Sequence, residues 1–183
     1  MQYNLGVQYD YEGRFCKAEL YYKKYDRLAL VEKGTVDAAE VLTSGGYGYS
    51  KGFDLFFNDR VLLKNLEYQL SYTYNIAKRK FQEYTELTTP QYATQHNASL
   101  VLKYSIPRIG TIVGLTNRFS SGRPYHNPDL LGLMNDHVKP YNSLDLGLTF
   151  LPSKKVIIHA SATNILCRKN EFGRVNNKAI LAS

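Results

Sequence analysis

The residue types that most often carry chemistry are few in this chain. They are Cys16, Cys167, His96, His126, His137 and His159. The histidines show no HExxH or i, i+4 arrangement and the cysteines no CxxC pair, so the spacing predicts neither a metal centre nor a redox motif. The acidic residues are scattered, and no Ser/His/Asp or paired-carboxylate arrangement is marked by a motif. We therefore expect no enzyme, no metal and no cofactor, and the pairing of the two cysteines stays open.

Five polar side chains are candidates for ligand contact. Arg118, Asp145 and His159 lie in the polar phase of predicted strands, and Arg123 and Tyr125 lie where a long loop begins. For the strand residues the alternative is that they belong to a barrel wall that faces water and requires polar side chains of any kind. For the loop residues the alternative is capping or loop packing. The other charges in the polar phase are Asp10, Lys17, Glu19, Asp54, Glu67 and Lys103.

Strict alternation of apolar and polar residues predicts the elements that position these side chains. Residues 3–12 and 66–75 alternate without an error, which indicates strands with one wet face. At 44% apolar content, one ten-residue window does so by chance with a probability of about 0.002. Weaker alternation predicts six further strands, at about 16–23, 53–58, 97–104, 111–120, 143–150 and 156–163. The sequence therefore predicts an all-β chain of eight antiparallel strands.

The predicted connections alternate between short and long. The short ones are residues 12–14, 58–64, 106–110 and 151–155, and the long ones are about 24–48, 76–95 and 121–141. Short turns at one end and long loops at the other are typical of an up-and-down outer-membrane β-barrel. Strands of about 8 to 11 residues also match a tilted membrane crossing.

Aromatic residues of the apolar phase collect at two heights. Those near the short turns are Tyr11, Phe57, Tyr104 and Phe150, and those near the long loops are Tyr3, Tyr22, Tyr74 and Phe119. Aromatic side chains concentrate where lipid headgroups meet hydrocarbon, so the pattern predicts two membrane interfaces. The high β-propensity of tyrosine explains its abundance but not the two heights.

The net charge of +7 comes from scattered cations, so we expect no nucleic-acid partner. The one dense run is Lys78-Arg79-Lys80, which is either a solvated strand end or a contact with lipopolysaccharide phosphates. No apolar stretch approaches the roughly 18 residues of a membrane-spanning helix. Residues 1–5 lack the features of a secretory signal, so we do not expect a chain that begins this way to be exported alone.

Several short sequence motifs follow one another in a fixed order. They are Tyr49 to Leu55, Ser120-Ser121-Gly122-Arg123-Pro124-Tyr125, Tyr141 to Leu146, Asn164-Ile165-Leu166 and Asn170-Glu171-Phe172-Gly173. In this order the chain resembles the C-terminal barrel of TonB-dependent receptors, especially those of Bacteroidetes-type bacteria. The resemblance covers essentially the whole chain, residues 1–183.

The resemblance implies a segment of a 22-stranded barrel in a Gram-negative outer membrane, in which the eight strands look like numbers 14 to 21. It further implies uptake of a siderophore, cobalamin or glycan. The implied partners are the remainder of the barrel, a plug domain, the TonB complex, outer-membrane lipid and lipopolysaccharide, and the small nutrient itself. The plug and the last strand are missing from the pattern, so we expect a truncated, split or excised product.

Two alternatives use the same strands differently. A self-contained eight-stranded outer-membrane barrel needs the first strand to pair with the eighth. A soluble β-barrel that binds a small apolar ligand needs the apolar face to point inward.

Overall fold

A computed structural model describes residues 1–33, 40–175 and 178–181. Its strands are β1 (Gln2–Tyr11), β2 (Arg14–Lys33), β3 (Glu40–Asp59), β4 (Leu66–Lys80), β5 (His96–Ile106), β6 (Thr111–Ser120), β7 (Pro124–Tyr125), β8 (Asp136–His137), β9 (Tyr141–Ser153), β10 (Val156–Ala162), β11 (Glu171–Val175) and β12 (Lys178–Leu181). One turn of 3-10 helix, Pro107–Ile109, lies between β5 and β6. None of the described residues forms a helix long and apolar enough to cross a membrane.

Eight of the strands form one antiparallel sheet in the order β1-β2-β3-β4-β5-β6-β9-β10. These are the eight strands that the alternation predicts, and their up-and-down order is confirmed. The pairs β7-β8 and β11-β12 form two small separate sheets. The first of these lies inside the long connection 121–141, and the second follows β10.

The predicted loop 24–48 is wrong in extent, because β2 and β3 continue as a paired hairpin as far as Lys33 and Glu40. The register shifts between Tyr25 and Leu28 and again between Leu28 and Leu30. Each irregularity breaks the period-2 pattern that marks a strand, so the extension looks like loop in the sequence. Residues 34–39 of this predicted loop lie outside the described residues.

The two faces of the eight-stranded sheet differ as the alternation predicts. On the apolar face, side chains stay open to the surroundings: Leu5 is 73% and Val7 70% exposed. The cross-strand register places apolar residues opposite one another, for example Leu5 opposite Leu20 and Leu20 opposite Phe53. The buried apolar side chains among the described residues include Leu30, Ala77, Ala93, Tyr125 and Val138. The packed core therefore lies among the connections at the loop end, while no other described segment covers the apolar face of the sheet.

The sheet is open. β1 and β10 are its two ends and do not pair with each other, so the closed eight-stranded barrel is not the fold of this chain. The soluble barrel with an apolar interior is not formed either, because the open sheet encloses no interior and leaves apolar side chains such as Leu5 and Val7 exposed. Both thiols are free, with Cys16 half-buried and Cys167 exposed.

Neighbouring turns at the short-turn end bind one another. The buried carboxylate of Asp59 accepts hydrogen bonds from the backbone N–H groups of Val61 (2.7 Å) and Leu62 (2.8 Å). It also pairs with the Arg14 guanidinium at 3.0 Å, which joins the β1–β2 turn to the β3–β4 turn. At the other side of the sheet, the Leu151 N–H donates to the carbonyl of Gly110 at 2.8 Å. These contacts hold the four short turns in two pairs.

Candidate ligand-binding site

A cavity of 450 Å³ lies at the loop end of the polar face. Strands β4, β5, β6 and β9 supply its floor, and residues of connection 121–141 and of β11 supply its walls. Its lining includes Ser71, Thr73, Asn97, Ser99, Arg118, Ser120, Ser121, Arg123, Val138, Lys139, Tyr141, Glu171 and Phe172. Hydroxyl and amide groups dominate the floor because the polar phase of these strands faces this side.

Two of the predicted candidates meet at the edge of this cavity. Arg118 Nη1 lies 2.7 Å from Asp145 Oδ2. The other oxygen of Asp145 accepts a hydrogen bond from the Ser143 hydroxyl at 2.8 Å and one from the Asn164 N–H at 2.9 Å. Asp145 is therefore fully engaged, and its charge offsets that of Arg118. Arg118 keeps a half-exposed side chain that lines the cavity.

Arg123 has a different environment. Its guanidinium lies over the Phe172 ring, 3.8 Å from the ring centroid. Stacking leaves the edge N–H groups of a guanidinium free to bind an anion. Beside it, Glu171 binds Arg174 at 3.1 Å and lies 4.0 Å from Lys139. The charged residues in the lining are Arg118, Arg123 and Lys139 against Glu171, so the cavity carries an excess of positive charge.

The segment Ser120 to Tyr125 is held in place by contacts of Ser121, Gly122 and Pro124. The Ser121 hydroxyl accepts hydrogen bonds from the N–H groups of Gln95 and His96, both at 3.0 Å. A Cβ at Gly122 would lie 1.9 Å from the Val138 carbonyl oxygen, so only glycine fits there. Pro124 is fully buried. The segment thus attaches the start of the connection 121–141 to the start of β5 and to the end of the same connection, just before β9.

Tyr125 is a packing residue. It is 3% exposed, and its hydroxyl donates a hydrogen bond to the Asp136 carboxylate. This hydrogen bond, with others from the His137 N–H and the Asn127 amide, holds the pKa of Asp136 below its ordinary value. The same hydrogen bond raises the pKa of the Tyr125 phenol. The loop-packing alternative therefore fits Tyr125, which lies beneath the loop surface.

His159 lies outside the cavity. Its Nδ1 is 2.9 Å from the Thr149 hydroxyl, nearer to the short turns than Asp145 is. Other predicted wall charges pair with each other: Lys17 with Glu19 at 2.9 Å and Lys103 with Glu67 at 3.8 Å. This mutual pairing is typical of a polar wall. Within the described ranges 1–33, 40–175 and 178–181, no three His, Cys, Asp or Glu side chains come close enough to hold a metal ion.

The sequence alone does not single out Lys139, Glu171 and Phe172, which line the same cavity. Glu171 and Phe172 belong to the motif Asn170-Glu171-Phe172-Gly173, so the sequence does contain a pattern that could have pointed to them. The Asn170 side chain gives this motif a structural role. Its carbonyl accepts a hydrogen bond from the Asn142 N–H and its amide donates one to the Asn142 carbonyl, both at 3.1 Å. Asn170 thereby attaches the segment after β10 to β9.

The motif Asn164-Ile165-Leu166 forms a turn at the same edge of β9. Asn164 has a φ of 49°, and its side-chain carbonyl accepts the Arg168 N–H at 3.2 Å. The Ile165 N–H donates to the Leu144 carbonyl at 2.8 Å. The chain therefore follows β9 past the end of β10 and delivers β11 to the cavity.

No protein-family model matches the chain, and no curated protein matches it. Solved structures do match. The siderophore receptor PiuA from Acinetobacter baumannii superposes with a TM-score of 0.74 at 16% identity, over 99% of this chain and 26% of that one. The outer membrane transporter YddB from Escherichia coli superposes with a TM-score of 0.73 at 13% identity, over 98% of this chain and 30% of that one.

The ferric yersiniabactin uptake receptor FyuA from Yersinia pestis has a TM-score of 0.72 at 14% identity, over 98% of this chain and 27% of that one. The chain thus spans less than a third of the length of each structure that it matches. At these identities the likeness is one of fold. The chain has the architecture of part of an outer-membrane receptor barrel, with an open sheet in place of a closed one.

Proposed function

We propose that this chain is barrel wall and loops of a TonB-dependent transporter in the outer membrane of a Gram-negative bacterium. The observation that carries the proposal is the superposition of nearly the whole chain on solved outer-membrane receptors and transporters. The uncovered apolar face supports it independently, because a bilayer is the surrounding that such a face requires. The order of the sequence motifs favours a receptor of the Bacteroidetes type.

The rest of the barrel is the first partner that this function requires. Within the described ranges no strand pairs with the outer edges of β1 and β10, and backbone groups at such edges cannot stay unpaired in hydrocarbon. We assign the eight strands to positions 14 to 21 of a barrel of about 22 strands. The plug domain and the TonB complex complete the transporter, and lipopolysaccharide surrounds it.

The cavity at the loop end is the proposed capture site for a small nutrient. Arg118 and Arg123, with Lys139 beside them, form a basic rim over a floor of hydroxyl and amide groups. Asp145 orients Arg118, and Tyr125 supports the loop from below. His159 belongs to the polar wall farther along β9 and β10. A siderophore, cobalamin and a glycan all offer oxygen atoms to such a rim.

Membrane insertion is the first test. A full-length receptor that carries this segment, refolded in detergent, should enter vesicles of outer-membrane lipids and protect the centre of the sheet, such as residues 66–75, from proteinase K. The connection 121–141 should remain cleavable. Recovery of a monomer that is soluble without detergent would disprove the proposal.

Uptake by a full-length receptor that carries this segment is the second test. Deletion of residues 123–138 should abolish uptake of its nutrient, identified from a panel of ferric siderophores, cobalamin and oligosaccharides. The barrel should still assemble, as judged by heat-modifiable gel mobility. A matched deletion in the short β9–β10 turn is the control. Unchanged uptake after removal of residues 123–138 would eliminate the capture role of this loop.

A further inference from the structure

Three lysines lie together on the apolar face at the loop end of β2, β3 and β4. Lys24 is directly opposite Tyr49, and Tyr49 is directly opposite Lys78, so the three residues form one row across the strands. Lys51 lies in the adjacent row, opposite Tyr22. Directly opposite residues share a face of a sheet. Lys24, Lys51 and Lys78, which we call the lysine triad, therefore surround Tyr49 on the face that carries Leu5 and Val7.

Side-chain geometry agrees with this placement. The Lys51 Nζ lies 5.8 Å from the centroid of the Tyr49 ring, and all three lysines of the triad are exposed. Lys24 pairs with Asp26 at 2.8 Å, where both side chains are more than half exposed. Across the described part of the chain, neither Lys51 nor Lys78 has a carboxylate within 4.0 Å. The positive charges of Lys51 and Lys78 therefore have no carboxylate partner among the described residues.

The height of the triad corresponds to a lipid interface. Arg14 marks the short-turn end of β2, opposite Tyr11 and Asp59. Lys24 is ten residues farther along the same strand, or about 34 Å at roughly 3.4 Å per residue. A tilt of about 40° reduces this to about 26 Å, close to the roughly 25 Å height of a barrel's apolar band. The triad therefore lies at the opposite edge of that band from the short turns.

Apolar grooves lead away from the triad into the band. One groove of 330 Å³ is lined by the apolar residues Leu5, Val7, Ala18, Leu20, Phe53 and Leu55 together with Gly6 and Glu19. A second groove of 560 Å³ continues toward the short turns and includes Ala18 and Tyr72 in its lining. The first begins one row below Tyr22 and Lys51. The small side chain of Ala18, between Val7 and Leu55 in its row, opens the space.

We propose that the lysine triad and these grooves bind a lipid with a phosphorylated headgroup in the outer leaflet. The phosphate occupies the position between Lys51 and Lys78 beside the Tyr49 ring, and an acyl chain lies in the grooves. The inference rests on the proposed membrane orientation. Charge complementarity selects an anionic headgroup, and the continuous apolar groove selects a lipid over a free phosphate.

The test is a titration of a full-length receptor that carries this segment, in maltoside micelles, with diphosphoryl lipid A and with its dephosphorylated form. The phosphorylated lipid should bind at least about tenfold more tightly, and Lys51→Gln with Lys78→Gln should remove most of that difference. Lys51→Arg with Lys78→Arg should keep it, which separates charge from misfolding. Lys154→Gln with Lys155→Gln, in the β9–β10 turn, makes the same charge change at the other interface and should have no effect.

Equal binding of both lipids would overturn the lipid site, as would full binding by the double glutamine variant or an equal loss in the Lys154 and Lys155 control. Inorganic phosphate should compete only at concentrations far above those of the lipid. If phosphate alone competed equally well, the acyl chain would have no part and the proposal would fail. Insertion into vesicles is measured on the same samples. Normal insertion without selective binding defeats only the lipid site, whereas failed insertion defeats the proposed function as well.

Discussion

The Arg123 guanidinium stacks on the Phe172 ring at 3.8 Å and so joins two segments nearly fifty residues apart. Arg123 lies near the start of the connection 121–141, and Phe172 belongs to β11, which follows β9 and β10 in the chain. The contact forms one wall of the cavity. Its strength therefore governs how firmly the loop is held over the polar floor.

Loss of the aromatic ring should loosen this loop. Phe172→Leu keeps an apolar side chain but removes the cation–π interaction, which contributes about 0.5–1 kcal/mol at an exposed site. The Val138 N–H, which donates to the Arg123 carbonyl at 3.0 Å, should exchange with solvent about two- to fivefold faster. Phe81→Leu removes a comparable ring contact with Tyr84 in another connection and should leave that exchange rate unchanged. Equal protection in Phe172→Leu and the original chain would show that the stacking has no role in holding the loop.

A methyl group at Gly122 should separate the start of the loop from its end. The added Cβ would lie 1.9 Å from the Val138 carbonyl oxygen, so backbone must move at a cost of about 1–3 kcal/mol. Gly122→Ala should lower the urea midpoint of the chain in micelles. At Gly114 the nearest atom to an added Cβ is 3.8 Å away, and Gly114→Ala should have little effect. Similar midpoints for both variants would contradict the close approach of Gly122 to Val138.

Acid should loosen the connection 121–141 through Asp136. The Tyr125 hydroxyl, the His137 N–H and the Asn127 amide lower the pKa of this carboxyl group. The ionised form is thus favoured in the folded loop, so its contribution is complete above about pH 4. It is lost as the pH falls through the lowered pKa. The Tyr125 phenol has a raised pKa, and its contribution is complete below about pH 10 and lost as the pH rises through that raised value.

Urea midpoints measured between pH 2 and pH 7 test the acid limb. Asp136→Asn should be less stable at neutral pH and should show a flatter decline toward low pH than the original chain. Other carboxylates titrate equally in both proteins and cancel in the difference. Parallel curves would mean that Asp136 does not contribute.

The two free thiols report which face meets lipid. Cys16 lies in the apolar phase of β2, opposite Tyr9 and Phe57, whereas Cys167 is exposed in the turn after β10. In vesicles, a charged maleimide should label Cys167 and spare Cys16, because the reagent does not enter hydrocarbon. Both should react after unfolding in detergent, and Cys167→Ser should abolish labelling of the inserted chain. Rapid labelling of Cys16 in vesicles would place the apolar face in water.

Much of this fold is predictable from local pattern. The period of two directly determines which residues share a face, so Leu5 and Val7 are placed on the apolar face and Asp145 on the polar face without any knowledge of partners. Arg118 and Asp145 lie in one phase of adjacent strands, and their ion pair needs only the correct register. Where the period breaks, between Tyr25 and Leu30, the prediction of a loop is wrong because strand pairing tolerates irregularities that the pattern does not.

The sequence by itself therefore determined the eight strands of the main sheet, their polar and apolar faces and the alternation of short turns with long connections, because each depends on residues close together in the chain. Only the tertiary structure decided that Arg123 meets Phe172, that Tyr125 is buried on Asp136, and that the sheet stays open between β1 and β10. Those outcomes depend on contacts between distant segments. Such contacts form only when whole strands have paired and delivered their connections to the same end of the sheet, and no local period records them.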